Sequence, residues 1–291
     1  GMSIQFSAIA AGAWRMDDWD MTPQARLAWI EGCLDLGITT FDHADIYGAY
    51  TAEALFGEAL ALKPFLRERM HIVSKCGIKL VTPNRPEHRI KSYDTSPEHV
   101  IASVDASLSA LKTDYLDVLL IHRPEALMDA TELAHCFEHL RAVGKVRQFG
   151  VSNFTPSQFE LLHKRIPLVT NQIECSPLHL EPFVDGTLDQ AQSLGLPPMI
   201  WSPLAGGQLF NSTDKAAVRV RAVLERLALD MQSNMTAVAC AWLMRHPSAP
   251  VPVLGSQRVA AYAQAMDALR LKIDRETWYE IWSAGAGKCV A

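Results

Sequence analysis

The feature that most constrains this chain is an unbroken alternation of short apolar runs with amphipathic segments. Eight such pairs follow one another, with no low-complexity linker and no shift in composition between them. The apolar runs are residues 6–11, 38–41, 71–76, 115–121, 146–151, 168–173, 198–201 and 251–254, and they read as strands. Between them, apolar residues recur at helical spacing, as Leu27, Ile30 and Leu34 do before Gly37. Thr22-Pro23, Ser96-Pro97 and Thr155-Pro156 each place a cap residue ahead of a proline at the first helical position. Short connections without hairpin signals require crossovers, hence a parallel sheet. The run 115–121 is almost wholly apolar, as suits a parallel strand covered on both faces.

Eight strand–helix units in 291 residues predict an α/β (β/α)8 TIM barrel, a single domain over 2–291. An open dinucleotide-binding sheet lacks its fingerprint, since Gly12-Ala13-Trp14 is no GxGxxG. Gly1 ahead of Met2 reads as the remnant of a cleaved tag. The connection 77–95 is polar, rich in Pro and Arg, and long for a compact domain, so it reads as a functional loop or lid.

Composition removes several classes of function. At 49% hydrophobic, 20% charged and net charge −5, the chain has an ordinary globular balance and no surplus of cations for nucleic acid. No apolar run approaches the ~18 residues of a membrane span. Six cysteines without a CxxC pair, mostly in apolar runs, read as buried reduced thiols of a cytoplasmic protein. Nothing implies an obligate protein partner.

The polar residues collect where a barrel places its chemistry, at the carboxyl ends of strands. Asp42 ends the second run and Tyr47 follows on the same loop. Lys75 lies near the end of the third run, His122 follows the fourth, Ser152 and Asn153 follow the fifth, Gln172 lies in the sixth and Ser256 follows the eighth. Ionisable groups in apolar strands need partners, because a lone buried charge is costly.

In order along the chain, the motifs are FDHADIYG (41–48, with Glu53 and Gly57 beyond), IVSKCG (72–77), LLIHRP (119–124), FGVSNF (149–154), TNQIE (170–174), WSPL (201–204) and VLGS (253–256). Their order and spacing resemble the aldo/keto reductase superfamily across nearly the whole chain. FDHADIYG and LLIHRP further resemble a bacterial YdhF-like branch. The resemblance implies reduction of an aldehyde or ketone by NAD(P)H, with Asp42, Tyr47, Lys75 and His122 as the catalytic set. The chemistry of those residue types agrees. An ammonium beside a phenol stabilises phenolate, a carboxylate holds the ammonium, and an imidazole can orient a carbonyl oxygen.

The resemblance also implies that Ser152, Asn153 and Gln172 bond the nicotinamide carboxamide and that Trp201 stacks on its ring. Ser202 and Leu204 then follow the pyrophosphate, and Gly255, Ser256, Gln257 and Arg258 the adenosine phosphate. The family often carries an arginine five residues after the serine, where this chain has Ala261; Arg258 is the nearby cation, and NADPH is expected ahead of NADH. Trp14, His122 and Tyr47 are expected to wall the substrate pocket.

Other features have plainer readings. His135 and His139 fit an HxxEH metal motif, but Leu133, Phe137 and Leu140 form the apolar face of that helix and turn both histidines outward, so no metal site is expected. His43 and Asp45 are expected to be structural or rim residues. Arg85, His88, Arg89 and Lys91 make the long loop basic, either to attract an anion or as a solvated surface. The different class left open is a nicotinamide-binding regulatory barrel with little turnover.

Overall fold

The computed structural model describes residues 4–291; the tag reading of Gly1 falls outside them. Ten strands are present among the described residues. They are β1 (Ala10–Gly12), β2 (Thr40–Asp42), β3 (His71–Cys76), β4 (Ile78–Lys79), β5 (Ser92–Tyr93), β6 (Leu116–Ile121), β7 (Val146–Ser152), β8 (Asn171–Glu174), β9 (Met199–Trp201) and β10 (Val251–Leu254). Eight of them close in the order β1-β10-β9-β8-β7-β6-β3-β2, a (β/α)8 barrel as expected. Tertiary contacts group the chain into residues up to Asn171 and residues from Gln172 on.

In the first group, the strands pair in parallel, with β2 ending three residues short of the end of β3. Gly12 pairs with Asp42, Asp42 with Val73, and Lys75 with Leu120. Helices at Pro23–Asp35, Ala52–Leu60, Pro97–Leu111, Ala130–Ala142 and Pro156–His163 cover the strands. Thr22, Ser96 and Thr155 cap three of them through their hydroxyls, as their Thr-Pro and Ser-Pro signals predict. Gly57 lets the second and third helices touch, because a Cβ there would stand 2.0 Å from the Ala110 carbonyl oxygen. His135 and His139 are exposed, as the apolar face of their helix requires.

Several strands differ from the sequence pattern, β2 and β8 beginning only at Thr40 and Asn171, and two departures have local causes. Residues 6–9 do not extend β1, since Ser7 and Thr40 exchange side-chain-to-backbone bonds (3.0 and 3.1 Å) in place of a backbone ladder. The loop 77–95 does hold a hairpin: β4 and β5 pair antiparallel, Ile78 opposite Tyr93 and Lys79 opposite Ser92.

In the second group, helices at Thr187–Leu194, Lys215–Asp230, Met235–Met244, Val259–Met266 and Arg275–Ala286 accompany β9 and β10. Gly186, at φ +94°, immediately precedes the first of them. Trp242 and Trp278 stack at 4.9 Å, and each indole N–H donates to the other's carbonyl at 2.9 Å. No helix of the described residues is long and apolar enough to cross a membrane. All six cysteines are free; five are buried and Cys289 is exposed.

Candidate active site

The carboxyl ends of β2, β3 and β6 bring four of the expected residues together. Asp42 is the last residue of β2, Lys75 lies one short of the end of β3, and His122 follows β6 directly. Tyr47 sits on the turn after β2, which Gly48 continues at φ +62°. Lys75 is completely enclosed at 1% exposure, so its charge depends on its partners. It donates to both carboxylate oxygens of Asp42 (3.0 and 2.9 Å), to the His43 carbonyl (3.1 Å) and to the Tyr47 hydroxyl oxygen (2.9 Å). Three ammonium hydrogens are thus shared among four acceptors, and none is idle. Burial pushes this ammonium down, but Asp42 and Tyr47 more than offset it, leaving its pKa above the usual lysine value.

Tyr47 accepts from Lys75, so its own hydroxyl hydrogen is not consumed in that bond. The expected lowering of the phenol by Lys75 is present but does not win. Burial dominates and pushes Tyr47 up to about 12, with Asp42 adding to burial against Lys75. The phenol therefore stays protonated at neutral pH.

His122 stands edge-on to Tyr47, with ring centroids 6.0 Å apart and planes at 82°. Burial first, then the charge of Lys75, hold it well below the ordinary histidine value. It is a neutral ring at pH 7. Its Nδ1 is buried without a partner. Orphaned N–H groups are rarer than orphaned acceptors, which favours the tautomer with the proton on Nε2. Asn153, held at φ +61° after β7, donates to the His122 carbonyl and to Ser152 Oγ, each at 3.1 Å. Ser152 is buried.

Two participants were not visible in residue types. The His43 carbonyl holds Lys75, and backbone oxygens carry no sequence signal. Asn153 steadies the backbone of His122, whereas its motif implied only a cofactor role. The His43 side chain lies outside this chemistry. It is fully buried, with both ring nitrogens unpartnered and its ring 4.3 Å from Phe56. Burial, then Lys75 and Arg67, lower it to about 3.

Trp14 follows β1 and is 54% exposed, with the Arg15 guanidinium 4.7 Å over its ring. From Gln172 on, Gln172 is buried in β8 and donates to Met199 Sδ at 3.5 Å. Trp201 ends β9, and Ser202 follows at φ +48° ahead of Leu204. Gly255, Ser256, Gln257 and Arg258 link β10 to the next helix; Ser256 Oγ accepts from the Arg258 N–H at 3.1 Å. No group of three or more His, Cys, Asp or Glu among the described residues could hold a metal.

Comparison with known proteins shows the family. The profile of the Aldo/keto reductase family matches residues 8–285. The chain is 50% identical to Oxidoreductase YdhF of Escherichia coli K12 over 97% of its own length and 95% of that protein. It is 46% identical to the 6-dehydroglucose reductase of Agrobacterium fabrum, covering 99% of this chain and 97% of the relative. A crystal structure of an aldo/keto reductase from Klebsiella pneumoniae, in complex with NADP and acetate, superposes with a TM-score of 0.78. That pair is 25% identical, covering 96% of this chain and 93% of the other. A closed parallel barrel with a lysine-bound phenol is the architecture of a barrel oxidoreductase. The chain belongs to the aldo/keto reductase family.

Proposed function

We propose that this enzyme reduces an aldehyde or ketone to an alcohol with NADPH, Tyr47 giving the proton. The observation that carries the reading is the Lys75 ammonium, enclosed and anchored by Asp42 and the His43 carbonyl, donating to the Tyr47 oxygen. When bound, the nicotinamide supplies a hydride. The carbonyl oxygen then bears the charge and takes the hydroxyl hydrogen of Tyr47. Lys75 stabilises the phenolate left behind, so an acid that is weak in the resting site becomes usable at the moment of transfer. Neutral His122 donates from Nε2 to the same oxygen and holds it beside Tyr47. Asp42 neither gives nor takes a proton; it positions Lys75.

The residues present fit a dinucleotide. Gly206, Gly207 and Gly255 have open space where a side chain would begin, leaving room for close approach to backbone. Arg258 is exposed and can grip a 2′-phosphate, which favours NADPH over NADH. Ser152, Asn153 and Gln172 are the proposed carboxamide contacts and Trp201 the stacking surface. Ser202 and Leu204 are assigned to the pyrophosphate, and Gly255, Ser256 and Gln257 to the adenosine phosphate. Trp14 is proposed as a wall of the substrate pocket. The relative named for 6-dehydroglucose reduction supports an aldehyde carried on a sugar as the first substrate to assay.

The test is fluorescence titration with NADPH and NADH, followed by turnover on a carbonyl panel with wild type and Tyr47→Phe. The expected result is a loss of about 10²–10⁴-fold in kcat for Tyr47→Phe, with NADPH affinity within about threefold of wild type. Wild-type turnover by Tyr47→Phe would remove Tyr47 from the role. Tight NADPH binding without turnover on any carbonyl would mark a regulatory barrel instead.

A further inference from the structure

The basic loop 77–95 is anchored at both ends, while its middle, including Arg89 and Lys91, is exposed. The β4–β5 hairpin pins its two ends, and Asp94 donates its N–H to the Gly77 carbonyl at 2.9 Å. Tyr50 pins its start: its hydroxyl donates to the Ile78 carbonyl (3.3 Å) and accepts from the Leu80 N–H (3.0 Å). Tyr50 is held at φ +73°, a left-handed backbone costly for an aromatic residue and sustained by those bonds. Between this loop and the helix Pro97–Leu111 lies a cavity of about 450 Å³. Tyr47, Lys75 and His122 do not line it.

Lys79, Arg85 and Arg89 supply three permanent cations to its wall, and His88 and His99 add two imidazoles. Two loop carboxylates face them: Glu87, which lines the cavity, and Asp94 beside Lys79. Lys79 has Asp94 at 3.6 Å, whereas neither Arg85 nor Arg89 lies within ion-pair distance of a carboxylate among the described residues. Arg85 lies flat on the Tyr50 ring at 4.1 Å, with Nη1 donating to the Asn84 carbonyl at 2.8 Å. Stacking of this kind fixes the plane of the guanidinium and leaves its edge for a bidentate acceptor.

Asp45 also lines the cavity, and its Oδ1 is buried without a hydrogen-bond partner. Burial, reinforced by Glu53 and only partly opposed by Arg85 and Lys75, holds this carboxyl well above the ordinary range. The site thus has two arginines outside ion-pair distance of any carboxylate of the described residues, and a volume fit for a small molecule.

We propose that this cavity is a second binding site, separate from the catalytic residues, that takes a small molecule through a phosphate or carboxylate oxyanion gripped by Arg85 and Arg89. The site stands independently of the catalytic reading.

Thermal unfolding of the full chain tests it with inorganic phosphate in one arm and succinate in another, each against chloride of equal ionic strength. The variants are Arg85→Gln/Arg89→Gln, Tyr47→Phe and Arg258→Gln. The expected result is a saturable rise of about 2–4 °C at ten times the dissociation constant. That rise is abolished in Arg85→Gln/Arg89→Gln and kept in Tyr47→Phe and Arg258→Gln. A larger rise with phosphate than with succinate identifies a phosphoryl ligand, and the reverse a carboxylate. Equal rises in wild type and the double variant would reduce the effect to solute exclusion and overturn the site. A rise lost in Arg258→Gln alone would place the anion with the proposed cofactor residues and overturn it as well. Phosphorus NMR line broadening, read on wild type and Arg89→Lys, keeps the test decisive if the double variant folds poorly. No broadening in wild type counts against the site.

Discussion

Two buried ion pairs lie at opposite ends of β3, and they differ in what surrounds them. Near its start, Arg67 donates to Asp117 (2.7 Å), Thr113 Oγ1 (2.7 Å) and the carbonyls of Tyr115 (2.8 Å) and Met70 (3.1 Å). Asp117 also accepts from the Ile72 N–H at 2.8 Å, and the guanidiniums of Arg67 and Arg147 each lie 3.9 Å over the Tyr115 ring. Every partner there is fixed. Near its end, Lys75 and Asp42 are equally buried, but one partner is the hydroxyl of Tyr47, part-exposed and with a hydrogen to give. A buried charge closed on itself has its partners fixed within the fold and becomes costly only when one of them is removed. A buried charge that ends on a proton donor with access to solvent can do chemistry. The positions agree with the division of labour in such barrels, where strand N-termini carry stability and C-termini carry function.

Replacing both pairs with apolar residues separates these roles most strongly. Lys75→Met/Asp42→Leu should unfold near the wild-type temperature, because a buried pair can be exchanged for packing at little cost. Its kcat for carbonyl reduction should fall about 10²–10⁴-fold. Arg67→Met/Asp117→Leu should likewise keep its melting temperature, but its kcat per folded molecule should stay within about twofold. Equal activity in the two double variants would erase the distinction.

Breaking the closed pair halfway should expose its structural role. Arg67→Met alone leaves the Asp117 carboxylate buried without its main donor and is expected to cost about 3–5 kcal/mol in urea unfolding. The double variant should recover most of that. A single variant as stable as wild type would mean that the Ile72 N–H and Arg147 suffice for Asp117.

How much of this contrast was legible in the sequence differs between the two ends. The proposed catalytic end was so in part: Asp42, Tyr47, Lys75 and His122 are polar types at or just after strand ends, and the family resemblance singled them out from the other polar residues there. The cap signals Thr22-Pro23, Ser96-Pro97 and Thr155-Pro156 were also direct, since each is settled by neighbouring residues. The closed pair was not: Arg67 lies in a short 3-10 segment at Pro64–Arg69 without period, and Asp117 looks like one polar interruption of an apolar strand. The His43 carbonyl that holds Lys75 has no letter of its own. The anion-lined cavity was half legible. Basic loop residues were plain, but the hairpin and Tyr50 bonds that fold the loop over the third helix depend on tertiary contacts.

The phenol itself sharpens the comparison through pH. Burial holds Tyr47 near 12 and keeps His122 neutral, so neither group changes charge between pH 6 and 9. Expected kcat for reduction varies less than about twofold over that range, measured at saturating NADPH and carbonyl. A limb near 6.5 would show that His122 titrates in the working enzyme.

The smallest expected effect concerns His43, whose ring sits behind the site that its carbonyl serves. Its lowering to about 3 means that the folded chain resists protonating it, while the unfolded chain binds that proton at about 6.5. Between those values the unfolded state holds more protons, so this residue's share of stability is intact above about 6.5 and is lost as pH falls toward 3. His43→Leu keeps the carbonyl that binds Lys75, removes a ring whose two nitrogens have no partner, and retains the apolar contact with Phe56. Urea unfolding at pH 7 and pH 5 is the measurement. The variant should lose less stability than wild type on going to pH 5, with a gain of about 1–3 kcal/mol at neutral pH from removing the unsatisfied polar atoms. Its kcat should be unchanged within about twofold. A steeper acid loss in His43→Leu would mean that the ring is charged in the folded state and belongs to the Lys75 network after all.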